Sequence, residues 1–127
     1  VARYQAASAK GNGKLAASDC GELASAFHNL YVKYPKELIA AEFNAGAVYD
    51  ECGDTKKAEE IYQALAKKNY QLAFNNLGVL AWKKGKEKDA MDYFKKAIES
   101  DKKKAFAARN NLAAVHRDRY SGKPDQA

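Results

Sequence analysis

The chain has 127 residues, 46% apolar and 30% charged, with only 2 prolines and 8 glycines. That length suits one ordinary domain, and the weight of alanine, lysine, glutamate and leucine favours helix. No run approaches the roughly 18 consecutive apolar residues of a membrane span, and no signal peptide is visible. The formal charge of +6, from 22 basic and 16 acidic side chains, admits nucleic acid, anionic lipid or an acidic protein as partner. The lysines interleave with acids, as in Lys56-Lys57-Ala58-Glu59-Glu60 and Lys86-Glu87-Lys88-Asp89. That pattern reads as a solvated helix surface and argues against a nucleic-acid stripe.

Along the chain, residues 2–18 are expected to supply a first helix, but Gly11-Asn12-Gly13 interrupts them, as a tolerated defect or as a break between two short helices. Glu22 to Tyr34 reads as a helix with Leu23, Phe27, Leu30 and Tyr31 on its apolar face and Pro35 at its end. Asp19 is its expected N-cap, with Glu22 completing a capping box. Further helices are expected over about 37–52, 55–68, 71–84, 87–100 and 104–120.

The chain repeats itself. Gly46, Gly53, Ala58 and Tyr62 recur 32 residues later as Gly78, Gly85, Ala90 and Phe94. A third segment, Arg109-Asn110-Asn111-Leu112, follows Phe74-Asn75-Asn76-Leu77 by 35 residues. The physical sense is a helix–turn–helix hairpin. Small residues sit where two helices approach, and Gly53 and Gly85 end first helices in the left-handed conformation that costs glycine least. Ala58 and Ala90 keep the second helices close, and Tyr62 and Phe94 lie one turn further on the same face.

With these residues in place the sequence resembles the tetratricopeptide repeat family. Leu77, Gly78, Ala81, Gly85, Ala90, Phe94 and Ala97 follow the family's run, and Ala45, Gly46, Tyr49, Gly53, Ala58 and Tyr62 follow it in the unit before, with Leu65 in place of the second alanine. The earliest unit matches only through Leu23, Phe27, Leu30 and Pro35, and the last through Leu112, Ala113 and His116. The resemblance implies one all-α domain over 1–127, a right-handed superhelix of antiparallel helix pairs. Its units are a degenerate repeat at 4–36, repeats at 39–70 and 71–104, and a partial repeat at 105–127. Because the pattern stops mid-unit at Ala127, more protein is expected to follow.

The family's first helices line a concave groove that binds peptides or proteins. Its inward positions fall here on Ala40, Phe43, Ala47, Asp50 and Glu51; on Leu72, Asn75, Val79, Trp82 and Lys83; and on Ala107, Asn110, Ala114, Arg117 and Asp118. The expected floor is small or apolar and bordered by Asn75 and Asn110, whose amides both donate and accept. Lys83 and Arg117 are placed to hold a carboxylate, the arginine with a bidentate fork. Asn76 and Asn111 stand near the asparagine positions of the family's carboxylate clamp, but Phe43, Asn44 and Ala47 break the full set. Trp82 is read equally as packing between units and as a ligand anchor.

By the repeat register, Cys20 begins one helix and Cys52 ends its antiparallel neighbour, so a disulfide is sterically open to them. A bridge favours an oxidising compartment such as a bacterial periplasm or cell envelope, whereas two free thiols suit the cytosol. His28 and His116 read as seam or surface residues, and no spacing implies a metal or cofactor. Gly11-Asn12-Gly13-Lys14 lacks the length and following hydroxyl of a phosphate loop. The chain reads as a non-enzymatic scaffold that binds a protein or peptide within an assembly. The alternative is a nucleic-acid or acidic-surface binder using Lys83, Lys84, Lys86, Lys95, Lys96 and Lys102-Lys103-Lys104. The cut final unit is expected to expose Phe106, Leu112 and Val115 for a second copy or for a missing helix.

Overall fold

The computed structural model describes residues 17–121, with side chains described over 19–117. The expectations for residues 2–16, including Gly11-Asn12-Gly13, and for Gly122 to Ala127 lie outside the described residues. The chain is all-α among those it describes, with α1 Ala17–Lys33, α2 Ile39–Glu51, α3 Thr55–Ala66, α4 Gln71–Lys83, α5 Glu87–Ser100 and α6 Phe106–Ser121. It divides into two compact units between Ile61 and Tyr62, within α3.

In the first unit α1 and α2 form an antiparallel pair. Cys20, Leu23, Ala24 and Phe27 from α1 close on Ala41, Ala45 and Val48 from α2, and Tyr31, Leu38, Tyr49, Cys52 and Ile61 pack around them half-buried. The α1 residues fall at helical intervals, so one stripe is buried and the opposite face is wet. α1 starts earlier than expected. Asp19 lies inside its first turn rather than at an N-cap, and there its carboxylate faces the positive end of the helix dipole. Gly21 does not break the helix, and the Leu23/Ala24/Phe27 stripe runs on past it.

A disulfide joins Cys20 to Cys52 across this pair, with the Cα atoms 6.3 Å apart. The two residues lie symmetrically about the turn at 34–38, and an antiparallel hairpin brings such residues opposite one another.

In the second unit α4 and α5 are antiparallel, α6 packs on α5, and α4 also touches α6. Its cluster is built largely of alanine: Ala81, Ala90, Ala97, Ala105 and Ala108 surround Phe94 and Val115. Small side chains let helix axes approach, and Gly78 marks the closest point. A Cβ at that position would stand 2.6 Å from Cδ1 and 2.9 Å from Cζ of Phe94, distances no packed side chain tolerates. Val115 is fully buried and Leu112 half-buried, contrary to the exposed apolar face expected of the last helix. Ala108, Leu112 and Val115 form one helical stripe that α6 spends on this cluster, joined by Ala105 just before it, and of the three apolar residues expected to be exposed only Phe106, 68% exposed, stays in solvent.

Three helices end in the same way. The Gly53 N–H donates to the Asp50 carbonyl (3.1 Å) and the Asp54 N–H to that of Tyr49 (2.8 Å). The Gly85 and Lys86 N–H groups donate to Trp82 and Ala81, both at 2.9 Å, and those of Asn69 and Tyr70 to Ala66 (2.9 Å) and Leu65 (3.2 Å). Each is a Schellman cap with a left-handed residue after the helix, φ being 88° at Gly53, 77° at Gly85 and 61° at Asn69. Asparagine tolerates that conformation better than most side chains, which is why α3 ends without a glycine. Asp54 then starts α3 by accepting the Lys57 N–H at 3.2 Å.

Removing the crosslink releases a loop set by a sequence separation of 32. Cys20→Ser/Cys52→Ser, or reduction by dithiothreitol, is expected to destabilise the first unit by about 3–4 kcal/mol on the chain-entropy account. Urea unfolding followed by circular dichroism measures it. A loss well below about 1 kcal/mol would show that the unit's apolar contacts alone hold the pair.

Candidate functional site

The side chains expected to face a ligand are distributed unevenly. In the first unit Phe43 and Asp50 are half-buried on α2. In the second unit Leu72 is 39% exposed, Lys83 is exposed, and Val79 and Trp82 are half-buried against the alanine-rich cluster. Trp82 thus packs within its own unit while retaining some accessible surface. Asn110 and Arg117 are exposed on α6.

Asn75 is buried and already engaged. Its carbonyl oxygen accepts from the Asn111 amide at 2.9 Å, and its own amide reaches the Asn76 oxygen at 3.5 Å. The 2.9 Å bond orients the Asn111 and Asn75 carboxamides, and the longer contact to Asn76 continues in the same direction. This run of amides leaves the Asn76 amide hydrogens and the Asn111 carbonyl oxygen at its ends. Asn110, expected with Asn75 at the border of the groove, is exposed, and it is the next residue, Asn111, that turns toward α4. One residue is about 100° of helix rotation, and sequence spacing does not fix the facing of two helices that finely.

Another flank of α2 carries a cleft of about 310 Å³ in the first unit, lined by Ser25, His28 and Asn29 of α1, Glu42 and Tyr49 of α2, and Lys57, Glu60 and Ile61. Glu42 and Tyr49 are seven apart and share a stripe, while Phe43 and Asp50, each one residue later, lie about 100° around the helix. At the cleft wall His28 Nδ1 meets both carboxylate oxygens of Glu42, at 2.8 and 3.0 Å. The Glu42 side chain is only 12% exposed and that of His28 is 53% exposed. Sequence reasoning puts His28 on a helix seam or surface and does not give this pair. The signal was present, since Cys20 and Cys52 are equidistant from the hairpin turn at 34–38 and His28 and Glu42 are nearly so. A notch of about 220 Å³ at Asp89, Asp92, Tyr93 and Lys96 belongs to α5 alone.

Charge separates between the units. Residues 17–61 hold four lysines against nine acidic side chains, whereas residues 62–121 hold fourteen basic against six acidic. Burial raises the Tyr70 phenol above its ordinary value of 10.0, so it stays protonated at any physiological pH. Among the described residues no group of three His, Cys, Asp or Glu is placed to hold a metal ion. No helix among them is long and apolar enough to cross a membrane.

Residues 72–104 match the family model for the tetratricopeptide repeat. That stretch is α4, α5 and the turn after them, the hairpin in which Gly78 meets Phe94. The match covers about a quarter of the chain and is consistent with one tetratricopeptide-like repeat there. No curated protein matches the chain.

Asn75→Leu leaves the Asn111 amide without its acceptor and is expected to cost about 1–3 kcal/mol. The exposed Asn110→Ala stays within about 0.5 kcal/mol of the parent. Urea midpoints compare the two, and equal effects would deny Asn75 a bonded structural role.

Proposed function

We propose that the chain is a non-enzymatic scaffold built of tetratricopeptide-type helix pairs, with repeats at 39–70 and 71–104 flanked by less regular units. Its face of Leu72, Asn75, Val79, Trp82, Lys83, Asn110 and Arg117 holds an extended protein segment. By repeat register, Phe43 and Asp50 are the equivalent residues of the preceding repeat. The observation that carries this reading is the oriented amide chain Asn111–Asn75–Asn76. A peptide backbone presents alternating N–H and C=O groups, and the free ends of this chain offer one acceptor and one pair of donors to meet them. By repeat register the same face takes in Leu72 and the accessible part of Trp82, with Lys83 and Arg117 assigned to take an acidic side chain or a terminal carboxylate. The repeat match over 72–104 supports the same role.

The Cys20–Cys52 disulfide supports an oxidising location, and within that class a bacterial periplasm or cell-envelope assembly fits the reading. The excess of basic residues over 62–121 favours one alternative, an acidic partner or nucleic acid held by the lysines. Its signature is a steep fall of affinity with salt.

A photo-crosslinking residue introduced at Asn110 or Lys83 is expected to trap one reproducible protein from the native host, while the same residue at Lys95, on the exposed side of α5, traps none. Asn76→Ala/Trp82→Ala is expected to reduce that trapping about tenfold or more, with helical signal retained. Equal crosslinking from Lys95 would move the partner off this face.

A further inference from the structure

The two ends of the Cys20–Cys52 crosslink are chemically unequal. Cys20 is only 7% exposed and is followed along its face by Leu23 and Ala24, both buried. Cys52 is half-buried at the point where α2 stops, and the next residue, Gly53, is exposed. A thiolate must reach the sulfur it attacks, so access favours attack on Cys52.

The leaving group points the same way. Attack on one sulfur expels the other as a thiolate, and the better-stabilised thiolate leaves faster. Cys20 is the fourth residue of α1, where the positive end of the helix dipole stabilises a thiolate. Cys52 is the C-cap of α2, at the negative end of its helix, with Asp50, Glu51 and Asp54 within two positions of it. Asp19 and Glu22 stand beside Cys20, so carboxylates flank both cysteines and do not reverse the order set by the dipoles. No basic residue lies within three positions of either cysteine. These carboxylates also select the attacker: an anionic thiol is repelled, and a thiol of zero or positive net charge is not.

We propose that Cys52 is a modification site for small thiols without net negative charge, and that Cys20 is the thiol that resolves the adduct. The attacking thiolate bonds to Cys52 Sγ, the bond to Cys20 breaks, and Cys20 departs as a thiolate that takes a proton from water. One disulfide is exchanged for another in this step. Attack by Cys20 on Cys52 Sγ expels the small thiol and restores the crosslink. A second thiolate attacking the adduct's outer sulfur instead leaves both cysteines reduced and two small thiols oxidised to their disulfide. Opening loosens the hairpin at its crosslinked end, while the His28–Glu42 hydrogen bonds hold it nearer the turn. The site is independent of the proposed peptide face on α4 and α6.

The test mixes the folded, crosslinked full chain with cysteamine, quenches in acid, alkylates with N-ethylmaleimide and maps the products by tryptic mass spectrometry. Cleavage after Lys33 and Lys36 separates the two cysteines. Cysteamine on Cys52 with maleimide on Cys20 is expected to exceed the reverse pattern about tenfold or more. Adducts shared evenly, or found mainly on Cys20, overturn the proposal. So does a reaction that rises with urea in step with unfolding and gives no adduct on the folded chain. A second arm compares cysteamine with glutathione, using hydroxyethyl disulfide as the uncharged reference. The chain is expected to widen cysteamine's advantage about threefold or more, and added salt to narrow it. A ratio equal to that of the reference overturns the assigned class of thiol.

Discussion

Helix α5 approaches α4 as closely as it does because position 78 has no side chain. The ring of Phe94 occupies the volume that a Cβ would fill, and the alanines at 81, 90 and 97 keep the rest of the seam equally shallow. Packing in protein interiors leaves little slack, so a seam this tight is an all-or-none condition for the geometry on either side of it. With α4 and α5 pinned, α6 has one apolar stripe to bury and one place to bury it. The result is to bring Asn111 within hydrogen-bonding distance of Asn75. The polar arrangement on which the functional reading rests is thus a consequence of an apolar one.

The two units are held by different means. The second has large buried side chains, Tyr62, Leu65, Phe94 and Val115, set among alanines. The first packs Leu23, Phe27 and Val48 between α1 and α2 and adds a covalent tie near the ends farthest from the hairpin turn. A crosslink there limits fraying where a short helical pair is weakest. The His28–Glu42 pair lies nearer the turn on the same hairpin, so the unit is joined by a covalent bond at one level and by hydrogen bonds at another.

Much of this was legible in the sequence, for physical reasons that differ by feature. Gly53 and Gly85 announce helix ends because the left-handed residue of the cap nearly requires glycine, and both sit there. Asn69 fills the same role unannounced, since asparagine occurs in many other settings. The 32-residue spacing of Gly78 and Phe94 from Gly46 and Tyr62 is visible because close packing restricts side-chain size so severely. What failed was what depends on neighbouring elements. Val115 was read as exposed because no following helix was available to cover it, yet α6 covers α5 with that same stripe. Asp19 was read as a cap because aspartate often is one, but α1 begins before it. The bond between Asn111 and Asn75 depends in the same way on the facing of α6 on α4, which spacing alone does not give.

The central claim is that the Gly78–Phe94 seam sets the geometry of the repeat, and a double-mutant cycle at these two positions tests it most directly. Gly78→Ala is expected to destabilise the chain by about 1–3 kcal/mol through overpacking. In the background of Phe94→Leu the same substitution is expected to cost at least about 1 kcal/mol less, because the ring it collides with is gone. Additive effects, with Gly78→Ala costing the same in both backgrounds, would contradict the account and make Gly78 a matter of helix propensity alone.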